Sequence, residues 1–266
     1  MTQSGNFNLR DEIREYWSMR AVTFDDQPGH EIFSDQERLA WHDLFRRHLG
    51  DGVLGDGTVR RALDLASGTG VISHLLHDLG FDVTGLDWSE AMLAKARDKS
   101  KLRQSNIRFL LGDAENTFED DDSYDVIVTR HLVWTLVDPA MAFAEWLRVL
   151  KPGGKLLIVD GDFVSPTWMS TLNKTMANLL HAIGLKRVID ETPQIKTHRD
   201  ILARVHFSQG ARADAVCEML KSAGFDPVTT DFNMRQIHRA QSKHLGLAKG
   251  LERGAQHRYA ICAIKP

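Results

Sequence analysis

Arg61-Ala62-Leu63-Asp64-Leu65-Ala66-Ser67-Gly68-Thr69-Gly70 is the stretch on which the reading of this chain turns. Its first half is a short apolar run, its second half a glycine-bearing turn, and residues 70–79 behind it carry helical spacing. So tight a turn needs glycine where a side chain would hold the backbone off a ligand, and the helix that follows aims free amides at that ligand. A nucleotide-like cofactor is therefore expected against Ala66, Ser67, Gly68 and Gly70. The loop alone does not say which cofactor, because Gly68-x-Gly70-x-x-Ser73 is also a degraded form of the dinucleotide fingerprint.

Outward from this loop, short apolar runs alternate with helix-length segments, the pattern of β-α units around a parallel sheet. Strands are expected at 59–65, 82–87, 106–111, 124–130 and 155–161, and helices near 70–79, 89–100 and 138–150. A helix over 211–223 and strands at 225–232 and 257–264 follow. Residues 163–210 break the rhythm and read as an insertion after the fifth strand, of the kind that forms lids or substrate walls. Ahead of the loop, 9–20 and 34–49 are helical, with Ser34 as N-cap and Gly50 as stop. The expected division is a helical cap over 1–57 and an α/β core over 58–266 with 163–210 as its lid.

Three acids end three successive strands. Asp64 precedes the glycine loop, and a carboxylate there suits a cofactor with an ammonium group better than one with a pyrophosphate. Asp87, in Gly85-Leu86-Asp87-Trp88-Ser89, is suited to both hydroxyls of a ribose, with Trp88 beside it to cover an adenine. Asp113, in Leu111-Gly112-Asp113-Ala114, is placed to accept from an adenine amino group. Met92, Gly112 and Ala114 join the same cofactor-facing set. Singly, each acid also reads as a strand-end turn or a helix N-cap; together they line the rim where open α/β sheets bind ligands.

These residues resemble the class I S-adenosylmethionine-dependent methyltransferases. Tyr124-Asp125-Val126-Ile127-Val128 looks like that family's fourth strand, and Leu147-Arg148-Val149-Leu150-Lys151-Pro152-Gly153-Gly154-Lys155 like the helix end and turn before its fifth, so the likeness covers residues 59–161. It implies S-adenosyl-L-methionine as cofactor and a doubly wound, mostly parallel seven-stranded sheet whose last strand is antiparallel. Tyr16-Trp17-Ser18-Met19-Arg20-Ala21 and Phe24-Asp25 resemble the cap helix of the small-molecule branch. That likeness implies Tyr16 near the sulfonium and Arg20 near the methionine carboxylate, although the same helix also reads as one that simply packs Tyr16 and Trp17 on the domain.

Methyl transfer needs a positioned nucleophile, exclusion of water and sometimes a base. Thr129-Arg130-His131-Leu132-Val133-Trp134 leaves the fourth strand at the rim. His131 is the first candidate base, since imidazole titrates near neutral pH, with Arg130 closing over the cofactor. Aromatic faces at Tyr16, Trp88 and Trp134 attract the positive methyl group, and Trp134, Trp168 and His206 are expected at the substrate. No pair among the twelve histidines has the His-x-x-x-His ligand spacing, so no metal is expected. Residues 233–258 hold six lysines and arginines against one acid, Glu252, and read as a solvated helix face or as an attractor of an anionic substrate.

The balance of 33 basic and 36 acidic residues, net charge -3, argues against nucleic acid and membrane as partners. Residues 1–10 lack the apolar stretch of a signal peptide, so a cytoplasmic protein is expected, as a monomer or homodimer. The expected function is S-adenosylmethionine-dependent methylation of a small molecule. A transfer RNA or protein methyltransferase, a NAD-dependent oxidoreductase and a cofactor-binding protein without catalysis are the alternatives.

Overall fold

Alternating buried strands and amphipathic helices assemble here as a seven-stranded sheet in the order β3-β2-β1-β4-β5-β7-β6. The computed structural model describes residues 3–167 and 193–266. Its strands are β1 (Arg61–Leu65), β2 (Asp82–Asp87), β3 (Arg108–Leu111), β4 (Tyr124–Arg130), β5 (Leu150–Asp162), β6 (Val228–Asp231) and β7 (His257–Ile264). β1 to β5 pair in parallel and β7 lies antiparallel to both β5 and β6. This is the expected doubly wound sheet.

The described helices are α1 (Gln3–Arg20), α2 (Asp35–Leu49), α3 (Val71–Asp78), α4 (Glu90–Arg103), α5 (Pro139–Val149), α6 (Pro193–Leu202), α7 (Ala213–Ala223), α8 (Arg235–Ser242) and α9 (Leu247–Ala255). On one face of the sheet, Trp41, Leu44 and Phe45 of α2 pack with Ile72, Leu75 and Leu76 of α3 and Ile237 of α8. On the other, Phe143 and Trp146 of α5 and Val216 and Leu220 of α7 meet Leu63, Ile127, Leu156 and Ile261. Each face of a central parallel sheet is thus covered, which is why its strands read as continuous apolar runs.

One boundary changes in detail. β5 begins at Leu150, not 155, because Tyr124 pairs with Leu150 and Val126 already with Lys155, so the Lys-Pro-Gly-Gly turn is taken up as an irregularity within the strand. Of the expected cap over 1–57, α2 is bedded in the main core, capped as expected by the Ser34 hydroxyl accepting from Glu37 N–H at 3.2 Å. α1 makes a small cluster with α6, in which Leu9, Ile13 and Tyr16 meet Ile201 and Val205.

The sheet order reverses between β1 and β4, and open α/β sheets take ligands at the carboxyl ends of the strands flanking such a reversal.

Candidate functional site

The loop after β1 reverses direction through three left-handed residues, Ala66 at φ +54°, Gly68 at +55° and Gly70 at +82°. Gly70 is glycine for packing as much as for φ, since a Cβ there would lie 3.0 Å from the Phe109 ring and 3.1 Å from Ala96. It caps α3 and stays outside the cavity described next, whereas Ala66, Ser67 and Gly68 line it.

A cavity of about 920 Å³ opens over the carboxyl ends of β1, β2 and β4. Asp64, Asp87, Trp88, Met92, Gly112, Asp113 and Ala114 border one part of it, Arg130, His131 and Trp134 another, and Tyr16 and Arg20 of α1 close it from above. His206 lies elsewhere, exposed and edge-on to Phe207 at 4.8 Å, so it does not reach the cavity where a substrate contact was expected. Trp168 lies outside the described residues.

Burial decides the electrostatics of the acids. Asp64 is 1% exposed, accepts from the Ser73 hydroxyl at 2.5 Å, and is pushed up to about 7 by desolvation, against which Ser73 and the Arg130 charge act. Asp87 accepts from the Gly68 N–H on one oxygen and the Ser89 N–H on the other, each at 2.8 Å, and burial still raises it to about 6. Its fixed geometry comes from the turns on either side: Gly68 belongs to the loop after β1, and Ser89 caps α4. Asp113, less buried, accepts from its neighbour Glu115 N–H at 2.9 Å and faces Arg10 of α1 at 3.6 Å.

Several polar atoms at this wall have no partner. The Ser67 hydroxyl, Arg20 Nε and Arg130 Nη1 are buried and unbonded among the described residues. Unsatisfied buried groups are costly and are usually completed by water or a ligand. Two carboxylates poised to accept, beside arginines and a hydroxyl with spare capacity, match a ligand that offers an ammonium, a diol and a carboxylate together. S-adenosylmethionine has these groups.

The sequence marks Phe24 and Asp25 only through the cap-helix likeness and does not show that they belong to a strap over the loop. Residues 21–31 cross the site: Phe24 stacks on His30 at 4.2 Å and comes within 3.8 Å of where a Gly68 Cβ would be. Asp25 accepts from Thr69 Oγ1 at 2.6 Å and pairs with Lys99 at 3.0 Å, while Lys99 also pairs with Glu31. Glu115 was missed; it joins Arg10 and accepts from Val137 N–H at 2.7 Å, tying α1 to the loops after β3 and β4. Nothing in their spacing marks these residues, because each contact joins segments distant in the chain.

The far end of the cavity is aromatic. Tyr16 stacks on His198 at 5.2 Å, Trp134 meets His198 edge-on at 5.6 Å and Phe163 at 5.7 Å, and Trp17 meets Trp134 at 6.4 Å. His131 has φ +59° and stands edge-on to Phe163 at 5.7 Å; its carbonyl accepts from Trp134 Nε1 at 2.9 Å. The reason for choosing it as base does not survive: burial, and then the charges of Arg258 and Arg130, drive its imidazole well below the ordinary range, so it stays neutral and weakly basic. His198, from the insertion, is the histidine the sequence did not single out for this end.

No cluster of metal-binding side chains occurs among the described residues, and none of their helices is long and apolar enough to cross a membrane.

Comparison with known proteins places these features. A methyltransferase-domain family model matches residues 63–158. The demethylmenaquinone methyltransferase of Paenarthrobacter aurescens is 31% identical over 231 residues, 83% of this chain and 85% of that protein. A ubiquinone/menaquinone biosynthesis C-methyltransferase of Idiomarina loihiensis is 29% identical over 208 residues, 75% of this chain and 79% of that protein. The structure of phosphoethanolamine N-methyltransferase 2 of Haemonchus contortus, with S-adenosylhomocysteine, shares the fold at a TM-score of 0.65 and 18% identity, over 97% of this chain and 60% of that one.

Proposed function

The chain belongs to the family of S-adenosylmethionine-dependent methyltransferases, and from that premise we propose that it methylates a small, flat aromatic acceptor of the quinol kind. The oxidoreductase alternative falls with the premise. One observation carries the choice of acceptor: the cavity beyond β4 is walled by the rings of Tyr16, Trp17, Trp134, Phe163 and His198, at centroid separations of 5.2 to 6.5 Å. Such walls favour a planar apolar ligand by stacking and edge contacts, each aromatic pair adding about 0.5–1.5 kcal/mol beyond burial. The names of both bacterial relatives, each a quinone-precursor methyltransferase, support the same class.

In this reading Asp87 accepts from the ribose hydroxyls, Asp64 faces the ammonium of the methionine portion, and Arg20 and Arg130 face its carboxylate. Asp113 lies at the adenine end with Gly112 and Ala114, where Trp88 and Met92 supply apolar cover. Bound S-adenosylmethionine supplies a methyl group already activated by the sulfonium, for in-line displacement. The chain's work is then to orient the acceptor, exclude water and hold it in a reactive ionisation state. α1 with Tyr16, and α6 with His198, act as the lid; the division into a cap over 1–57, a core over 58–266 and a lid insertion over 163–210 is part of this proposal. His131, neutral and backed by Phe163, is a wall and hydrogen-bonding group here, not the base.

The test is transfer from methyl-labelled S-adenosylmethionine to a panel of soluble naphthoquinols, catechols and alkylamines. Label on a naphthoquinol or catechol is expected; label on the amines alone, in protein that binds S-adenosylhomocysteine, would reject the aromatic acceptor.

A further inference from the structure

At the aromatic end of the cavity an arginine stands without an ion-pair partner among the described residues. Arg258 sits on β7 opposite Gly161 of β5, is 6% exposed, and lines the aromatic end of the cavity. Its guanidinium carbon lies 5.6 Å from the Phe163 centroid, and Phe163 is in turn edge-on to His131 and to Trp134, each at 5.7 Å. Its Nε donates to Gln256 Oε1 at 3.0 Å; no carboxylate comes within 4 Å of it among the described residues.

The acid whose charge acts on it, Asp160, is already engaged. Its two oxygens accept from Val133 N–H at 2.8 Å and Gly161 N–H at 2.9 Å, and burial raises it to about 7, so near neutrality it carries only part of a charge toward Arg258. The other charges near Arg258 are Arg253 and Arg130, which are of the same sign. Arg130 is faced by three acids, Asp64, Glu37 and Glu31, whereas Asp160 alone acts on Arg258, so the less compensated positive charge falls at the acceptor end. A buried cation without an anion is costly, and such a site is completed when a ligand brings the missing charge.

We propose that the acceptor binds as an anion, with a carboxylate or phenolate oxygen against the Arg258 guanidinium. This rests on the aromatic-acceptor reading and narrows it. For a phenolic acceptor it also supplies what His131 cannot: a cation that favours loss of the hydroxyl proton to solvent, leaving the oxygen electron pair conjugated into the ring. Attack of the ring carbon on the methyl carbon then breaks the C–S bond with its pair left on sulfur, and the ring carbon's proton goes to solvent.

Wild-type protein saturated with S-adenosylhomocysteine is titrated with 2-naphthoate and with neutral 2-naphthamide, following quenching of cavity tryptophan fluorescence, and with 4-nitrophenol, following its phenolate absorbance at fixed pH. An anion preference of at least about tenfold for naphthoate, the scale of one charge-assisted contact, identifies a carboxylate partner; a rise in the phenolate band on binding identifies a phenolate partner. Arg258→Gln should abolish whichever is seen and Arg258→Lys retain part of it, with S-adenosylhomocysteine binding intact in both. Equal affinity for naphthoate and naphthamide with no phenolate rise, or no binding of any probe, overturns the proposal. The methyltransferase reading fails separately, through loss of S-adenosylhomocysteine binding by the wild type.

Discussion

Asp87 answers to two constraints at once: it holds the Gly68 and Ser89 amides, and it faces the cavity. Replacing it by Ala should weaken S-adenosylhomocysteine binding by about 1.5–3 kcal/mol in calorimetry, the scale for hydrogen bonds to a charged group; unchanged affinity in a folded variant would put the ribose elsewhere. Its ionisation matters too. Burial raises Asp64 to about 7 and Asp87 to about 6, and both are needed as carboxylates by an ammonium and a diol. The unbound site is therefore protonated below these values, and binding must expel the protons. Affinity should climb as pH rises from about 5.5 to about 7.5 and then level off, with Asp64→Asn flattening the upper part of the rise. An affinity that falls over this range would mean that the acids bind in their neutral form.

At the scale of elements, the contact that closes the site is α1 on α6. Ile13 is 1% exposed and packs with Leu9, Tyr16, Ile201 and Val205 in a cluster separate from the two main cores. Ile13→Ala should cost about 2–4 kcal/mol where it is felt, the range for truncating a buried Ile. Because that cluster is separate, the loss belongs to local opening and not to global unfolding. Hydrogen exchange should quicken in α1 and α6 while β1, β4 and β5 keep their protection, and cofactor should dissociate faster. Equal acceleration throughout the sheet would show that α1 is integral to the fold. Helices and strands are readable because apolar spacing is a local property; the spacing of α2 shows that one face is buried without showing against what. The β5 boundary was misplaced for a similar reason: Pro152, Gly153 and Gly154 are turn residues by type, and only the pairing with β4 and β7 draws their neighbours into the strand.

Over the whole molecule, one continuous sheet carries both main cores, so the core should melt in a single transition that cofactor raises. At a hundredfold excess over Kd, S-adenosylhomocysteine contributes about 2.7 kcal/mol, a rise of roughly 5–10 °C in Tm for a chain of this size. NAD should give no rise; a shift with NAD and none with S-adenosylhomocysteine would contradict the family assignment. The buried acids and histidines act on the unliganded chain in opposite senses. Asp64, Asp87 and Asp160, raised to about 7, 6 and 7, contribute stability that is full below their unfolded values near 4 and fades as pH climbs to about 7. His30, His74 and His238, lowered to about 4, contribute stability that is present above about 6.5 and lost as pH falls toward 4.

From its residues alone the chain declared a doubly wound α/β sheet, the glycine loop, the three rim acids and the cofactor they imply, since all of these reside in short segments whose pattern follows from backbone geometry. Tertiary structure decided the acceptor end. Phe163, His198 and Arg258 come from the insertion and the last strand, and Phe24 and His30 from a strap laid across the loop. Charge state was likewise out of reach of the sequence: His131 is an ordinary imidazole by type and a neutral one in place, because burial and neighbouring arginines set a proton's energy, and only folding brings them together.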